Sequence, residues 1–311
     1  MQLQQFYRAK QRIDSLIEKT RCIYSDALSK KTGANVYLKL ETEQPTGAFK
    51  LRGAANKIKG LTELEKAKGV ATFSTGNHGI AVAYVAREEG IPATICISER
   101  VPDVKKKRLE ELGARVVVTG TSQDEAERYC YSLPEVTVVP PFDDEAVIAG
   151  QGTIGLEIME QCPSVDHVLV PLSGGGLMSG VGTCLKKINE AIKVTGVSVE
   201  GGAVMHESIE RGGPVTLPEK DTLADSLLGG LGKENTLTYE MTKQVMDESV
   251  LVGERQIGNG IEFMLDRHKM LVEGAAASGV GWILEERLPK GENVVILITG
   301  NNIGAEVLKQ L

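Results

Sequence analysis

The chain has 311 residues, 41% of them hydrophobic and only 4% aromatic, enough apolar material to bury a sizeable core in two compact lobes. Its formal net charge of -7 argues against nucleic acid or an anionic membrane surface as a partner. The N-terminus has no apolar core of signal-peptide length and no later run approaches membrane-spanning length, which predicts a cytoplasmic protein; five cysteines, odd in number and scattered, predict reduced packing residues rather than disulfides or a zinc knuckle.

In chain order, residues near 4 to 33 read as helix with a capping-type turn, and Val36 to Leu40 as a strand leading to a lysine loop. Strand-like runs at 70–73, 93–97, 115–118 and 136–139 then alternate with helical patterns near 78–89, 103–113 and 123–132. A second series follows: helix near 145–161, strand 167–172, helix 177–189, strand 193–199, helices near 235–246, 255–271 and 275–287, and strand 294–298. Repeated β-α units predict an α/β fold with parallel sheets and right-handed crossovers. Pro214 to Asp221 reads as a surface loop, and Gly229-Gly230-Leu231-Gly232 as flexible backbone.

Three stretches carry chemistry. Ala48-Phe49-Lys50-Leu51-Arg52 follows a turn and sets a lysine between an aromatic ring and an arginine. A lysine amine is a nucleophile only when unprotonated, and burial lowers its pKa enough to let it hold an aldehyde cofactor such as pyridoxal phosphate. Ser74-Thr75-Gly76-Asn77-His78-Gly79 and Ser173-Gly174-Gly175-Gly176-Leu177 each follow a strand and open a helix, where backbone N–H groups and the helix dipole favour an anion. A Rossmann-type nucleotide-binding protein is the competing class, but the first βα unit lacks Gly-x-Gly-x-x-Gly with its acidic partner, and Lys50 would be idle.

These stretches, with Leu297-Ile298-Thr299-Gly300-Asn301, Val147 to Thr153 and Glu273-Gly274-Ala275, resemble the fold-type II pyridoxal phosphate enzymes of the threonine and serine dehydratase family. Val139 to Asp144, Gly196 to Glu200 and Leu223 to Leu227 are similar to the hydroxyectoine utilization dehydratase branch. The resemblance implies a two-lobed, tryptophan synthase β-like fold, each lobe a mostly parallel twisted sheet flanked by helices. The large lobe would hold residues 1–47 and 144–311, the small lobe 48–143, and the enzyme would be a homodimer. It implies Lys50 as the catalytic lysine and Phe49 against the cofactor ring. Asn77 would bond the ring's phenolic oxygen, the loop Ser173, Gly174, Gly175, Gly176, Leu177 would hold the phosphate, and Thr299 would face the pyridine nitrogen. Ser74, Thr75, Gly76, Asn77 and His78 would receive the carboxylate of an amino-acid substrate, with Arg52 supporting them or pairing elsewhere. The activity implied is loss of water and ammonia from a β-hydroxy-α-amino acid.

Departures from the family refine this. Racemases of the family carry a serine where Thr75 stands, so racemisation is the alternative rather than the first reading. Ser173 replaces a glycine, and its hydroxyl offers the phosphate one more donor. Ser198 and Val204 replace the two carboxylates of a divalent-metal site, so no metal is expected, although Glu200 and Glu207 stand nearby. The chain stops about a helix after Thr299, as in the short catabolic relatives without a regulatory domain. The branch resemblance implies ring-opened hydroxyectoine, a 3-hydroxy-2,4-diaminobutyrate, as substrate, its distal ammonium drawn to Asp143, Asp144 or Asp225.

Overall fold

The computed structural model describes residues 1–218, 220–232, 235–286 and 288–309. The strands are β1 (Cys22–Tyr24), β2 (Asn35–Leu40), β3 (Val70–Thr72), β4 (Ala93–Ile97), β5 (Arg115–Val118), β6 (Thr137–Val138), β7 (His167–Pro171), β8 (Lys193–Val199), β9 (Glu248–Val252) and β10 (Asn293–Ile298). The first helices are α1 (Leu3–Ile13), α2 (Asp26–Thr32), α3 (Lys50–Lys59), α4 (Glu63–Lys68), α5 (Asn77–Glu88), α6 (Asp103–Glu111) and α7 (Gln123–Ser132). They are followed by α8 (Glu145–Gln161), α9 (Gly176–Ile188), α10 (Val204–Arg211), α11 (Thr238–Val245), α12 (Glu254–His268), α13 (Gly274–Ile283) and α14 (Ala305–Leu308).

Two sheets result, a six-stranded one ordered β1-β2-β10-β7-β8-β9 and a four-stranded one ordered β5-β4-β3-β6. Every pairing is parallel except β1 with β2. Parallel strands covered on both faces read as continuous apolar runs, and Val294 to Ile298 and Val168 to Val170 are accordingly fully buried. Last in the chain but central in its sheet, β10 pairs residue by residue with β2, Asn293 opposite Asn35 through Ile298 opposite Leu40. Helix ends are set locally. Ser25 accepts from the Leu28 N–H to start α2, Gly33 in the left-handed region ends it, and Asp144 accepts from the N–H groups of Ala146 and Val147 to start α8.

The helix expected over residues 4–33 is three elements instead. Residues Cys22 to Tyr24 pair antiparallel with β2, Cys22 opposite Lys39, and this edge pairing wins over local helical pattern. Strand β9 and helices α3, α4, α10 and α14 are additional to the expected series. Glu219 of the expected loop and Arg287 of the expected helix 275–287 lie outside the described residues. Among the described residues no helix is long and apolar enough to cross a membrane. All five cysteines are free thiols, four of them buried.

Candidate active site

The sheet topology brings Lys50 to the end of β10. After β2 the chain turns, and the Phe49 N–H donates to Thr299 O at 3.0 Å while the Asn301 N–H donates to Gly47 O at 3.0 Å. Lys50 then opens α3, its Nζ donating to Pro141 O at 2.7 Å and standing 5.3 Å from the centre of the Phe49 ring. Burial pulls the amine down to about 8, against the opposing pull of Glu273. A lysine so placed is unprotonated in a useful fraction at neutral pH, the condition for nucleophilic and base chemistry.

Ser74, Thr75 and Gly76 form the link from β3 to α5, and Asn77 is the first residue of that helix, which no side chain caps. The Asn77 amide lies between two residues of the distant C-terminal part: its Nδ2 donates to Glu273 Oε1 and Oε2 at 2.9 and 3.0 Å, and its Oδ1 accepts from Asn302 Nδ2 at 2.7 Å. Burial drives the Glu273 carboxyl up to about 7, the Asn77 bond and the Lys50 charge working against the rise. His78 is buried, with Nε2 donating to Val139 O at 2.9 Å, and burial holds its ring near 3, in the neutral form.

The glycine loop lies between β7 and α9. Gly175 is left-handed at φ 83°, a conformation glycine adopts without strain, and α9 opens behind it with no side-chain cap, leaving first-turn N–H groups open to an anion. The Phe142 ring lies against Gly174, and the Phe142 Cβ and backbone against Gly176, so closely that neither glycine has room for a Cβ. The Ser173 hydroxyl turns away, donating to Leu228 O at 3.4 Å. Thr299 is 2% exposed and its Oγ1 has no hydrogen-bond partner among the described residues. A buried hydroxyl left unpaired is costly unless something supplies a partner, so local backbone does not account for Thr299. A depressed lysine, an uncapped helix start and an orphaned hydroxyl fit a cofactor bearing an aldehyde, a phosphate and a ring nitrogen.

Other expected residues are spent elsewhere. Arg52 is fully buried in two forked ion pairs with Glu41 and Glu157, so it pairs within the fold rather than with the substrate. Asp143 accepts from the N–H groups of Thr236, Leu237 and Thr238, and Asp144 caps α8 and pairs with Lys57 at 2.7 Å. Asp225 alone of the three acids is exposed, with Lys105 at 4.0 Å. Ser198 donates to Leu172 O at 2.9 Å, Val204 is buried, and Glu207 pairs with Arg211 at 2.7 Å. Sequence reasoning attached no role to Glu273 or Asn302; the Glu-Gly-Ala signature and the Asn-Asn pair after Thr299-Gly300 were the signals available.

Comparison with known proteins agrees with this geometry. The family model described as pyridoxal-phosphate dependent enzyme matches residues 13–300. The chain is 42% identical to an L-threonine ammonia-lyase of Thermotoga maritima, over 99% of this chain and 77% of that protein. It is 40% identical to a catabolic L-threonine dehydratase of Staphylococcus aureus, over 95% of this chain and 87% of that one. Its fold is similar to maize serine racemase with a TM-score of 0.93 and 30% identity, covering 99% of this chain and 96% of the other. The chain therefore belongs to the pyridoxal-phosphate-dependent enzyme family, as a fold-type II ammonia-lyase of the threonine and serine dehydratase group.

Proposed function

We propose that Lys50 is both the cofactor-holding and the proton-transferring residue of an enzyme that removes water and ammonia from a β-hydroxy-α-amino acid. The observation that carries this is the Lys50 amine, buried beside Phe49 and held down to about 8. Bound pyridoxal phosphate supplies an electron sink that stabilises negative charge at the substrate α-carbon and so lets a β-hydroxyl leave. Lys50 Nζ takes the α-proton. Asn77 donates to the cofactor's phenolic oxygen, Thr299 Oγ1 meets its ring nitrogen, and the backbone from Ser173 to Leu177 holds its phosphate at the open start of α9. The loop from Ser74 to His78 orients the substrate carboxylate, and the Phe49 ring shields the lysine amine from water. This reading also divides the chain into a lobe of residues 48–143 inserted between 1–47 and 144–311.

For substrate we propose a ring-opened hydroxyectoine derivative, 3-hydroxy-2,4-diaminobutyrate, with threonine slower. Supporting it are the branch motifs and Asp225, an exposed carboxylate close enough to Glu273 to push that group's pKa upward, and so placed to draw a distal ammonium. Asp143 and Asp144, held in helix caps, are withdrawn from that role. The experiment compares kcat/KM for hydroxyectoine, its ring-opened forms, threonine and serine, with borohydride labelling of Lys50 and the Lys50→Ala variant alongside. Lys50→Ala is expected to keep its secondary structure and lose keto-acid formation; turnover at the wild-type rate overturns the lysine assignment. Threonine preferred about tenfold, about 1.4 kcal/mol in transition-state stabilisation, makes the enzyme a catabolic threonine dehydratase instead.

An amino-acid racemase is the second reading, favoured by the likeness to maize serine racemase. Thr75 stands against it, lacking the serine of the racemases. Enantiomer interconversion faster than keto-acid release in the wild type decides for the racemase.

A further inference from the structure

Glu273 stands at the N-terminal boundary of α13 but its side chain does not cap that helix. It is only 4% exposed, and a carboxylate carried into the interior needs a specific use. Both its oxygens are turned to Asn77 Nδ2, at 2.9 and 3.0 Å. On the opposite side of the same amide, Asn302 Nδ2 donates to Asn77 Oδ1 at 2.7 Å. Asn302 is itself anchored, donating to Thr46 O at 2.9 Å and accepting from Arg108 Nη2 at 2.8 Å. Flipping the Asn77 amide would set two NH2 groups against each other and a carbonyl oxygen against a carboxylate. The Glu273 backbone is fixed as well, its N–H donating to Gly300 O at 3.1 Å beside Thr299.

We propose that Glu273 is a positioning residue, which with Asn302 locks the Asn77 amide so that an N–H, never the carbonyl oxygen, is presented to the cofactor's phenolic oxygen. The inference rests on the reading that Asn77 faces the cofactor. Lys50 and Asp225 are the charged groups that act on Glu273 from α3 and from the turn at 225–227, and neither takes its place at the amide. A phenolic oxygen carrying negative charge is an acceptor, so a fixed donor strengthens cofactor binding and shifts the cofactor's visible absorption, whereas a freely rotating amide offers repulsion half the time.

The test measures the pyridoxal phosphate dissociation constant and the visible absorption of the bound cofactor in Asn77→Ala, Glu273→Ala, Glu273→Gln and the double variant Asn77→Ala/Glu273→Ala, with circular dichroism to check folding. Glu273→Ala is expected to weaken cofactor binding about tenfold and to move the absorption band in the same direction as Asn77→Ala. Because the two act through one contact, the double variant binds no more weakly than Asn77→Ala alone. Glu273→Gln, which keeps one acceptor oxygen, shows a smaller loss that vanishes in the Asn77→Ala background, and it carries the test should Glu273→Ala fail to fold. Penalties that add in the double variant, or wild-type affinity and spectrum in both Glu273 variants, overturn the inference while leaving Asn77 as a cofactor contact. A silent Asn77→Ala brings down that contact and this inference together.

Discussion

Burial moves Lys50 down to about 8, Glu273 up to about 7 and His78 down to about 3, in each case toward the neutral form. The neutral forms of Lys50 and Glu273 are thus brought within reach at neutral pH, although the amine is still mostly protonated there. For Lys50 the linkage has a definite sign. Its folded pKa of about 8 lies below the ordinary lysine value of about 10.4, so between those values the unfolded chain binds more protons and stability rises with pH. That contribution is complete above the upper value and lost as pH falls through about 8. Lys50→Met in the cofactor-free protein is expected to flatten this rise, which thermal midpoints of variant and wild type across the same window will read; parallel curves contradict the depressed amine. Lys50, Asn77 and the glycine loop could be singled out as candidates because each sits in a short run whose residue types suggest its chemistry. Glu273 was not, because its partner Asn77 lies 196 positions away and only the folded chain joins them.

At the next scale, the elements that deliver Lys50 are tied beneath it by charge. Arg52 on α3 forks to Glu41 at 2.8 and 2.9 Å, just beyond β2, and to Glu157 on α8 at 2.7 and 2.9 Å. Lys39 on β2 also reaches Glu157, at 2.5 Å, and Thr20 Oγ1 donates to Glu41 at 2.7 Å. The guanidinium is completely covered, so its removal leaves Glu41 buried with no direct ion-pair partner and Glu157 with Lys39 alone. Arg52→Met is expected to destabilise the protein by about 3–5 kcal/mol in chemical denaturation. Lys30→Ala, which removes an exposed pair with Asp26, is expected to cost about 0.5 kcal/mol or less. Equal effects would mean that the buried cluster is not holding these elements. The sequence showed most elements by their apolar periods, α8 and β8 among them with the ends now seen. It hid β1 and β9 because three to five half-buried residues at a sheet edge make too short an alternation to stand apart from a helix or loop. The pairing of β1 with β2 is a tertiary outcome, and local pattern does not contain it.

Across the whole molecule, β10 lies between β2 and β7, so the six-stranded sheet has a gap at its middle until residues 293–298 have been made. During synthesis on the ribosome, β2 leaves the exit tunnel long before the strand it needs, and the facing edges of β2 and β7 stay unpaired meanwhile. Such edges invite association with other chains, which makes this order of events a demand on chaperones rather than on the finished protein. The four-stranded sheet carries no such debt, since β3 to β6 come from one continuous stretch and can pair as they emerge. In refolding from denaturant, helical signal should therefore return before the visible absorption of captured pyridoxal phosphate, because Thr299 joins the turn that carries Lys50 only when β10 inserts; coincident phases would contradict this order. A chain truncated before residue 293 would accordingly be able to form one sheet and condemned to leave the other open, a substrate for proteolysis instead of a weakened enzyme.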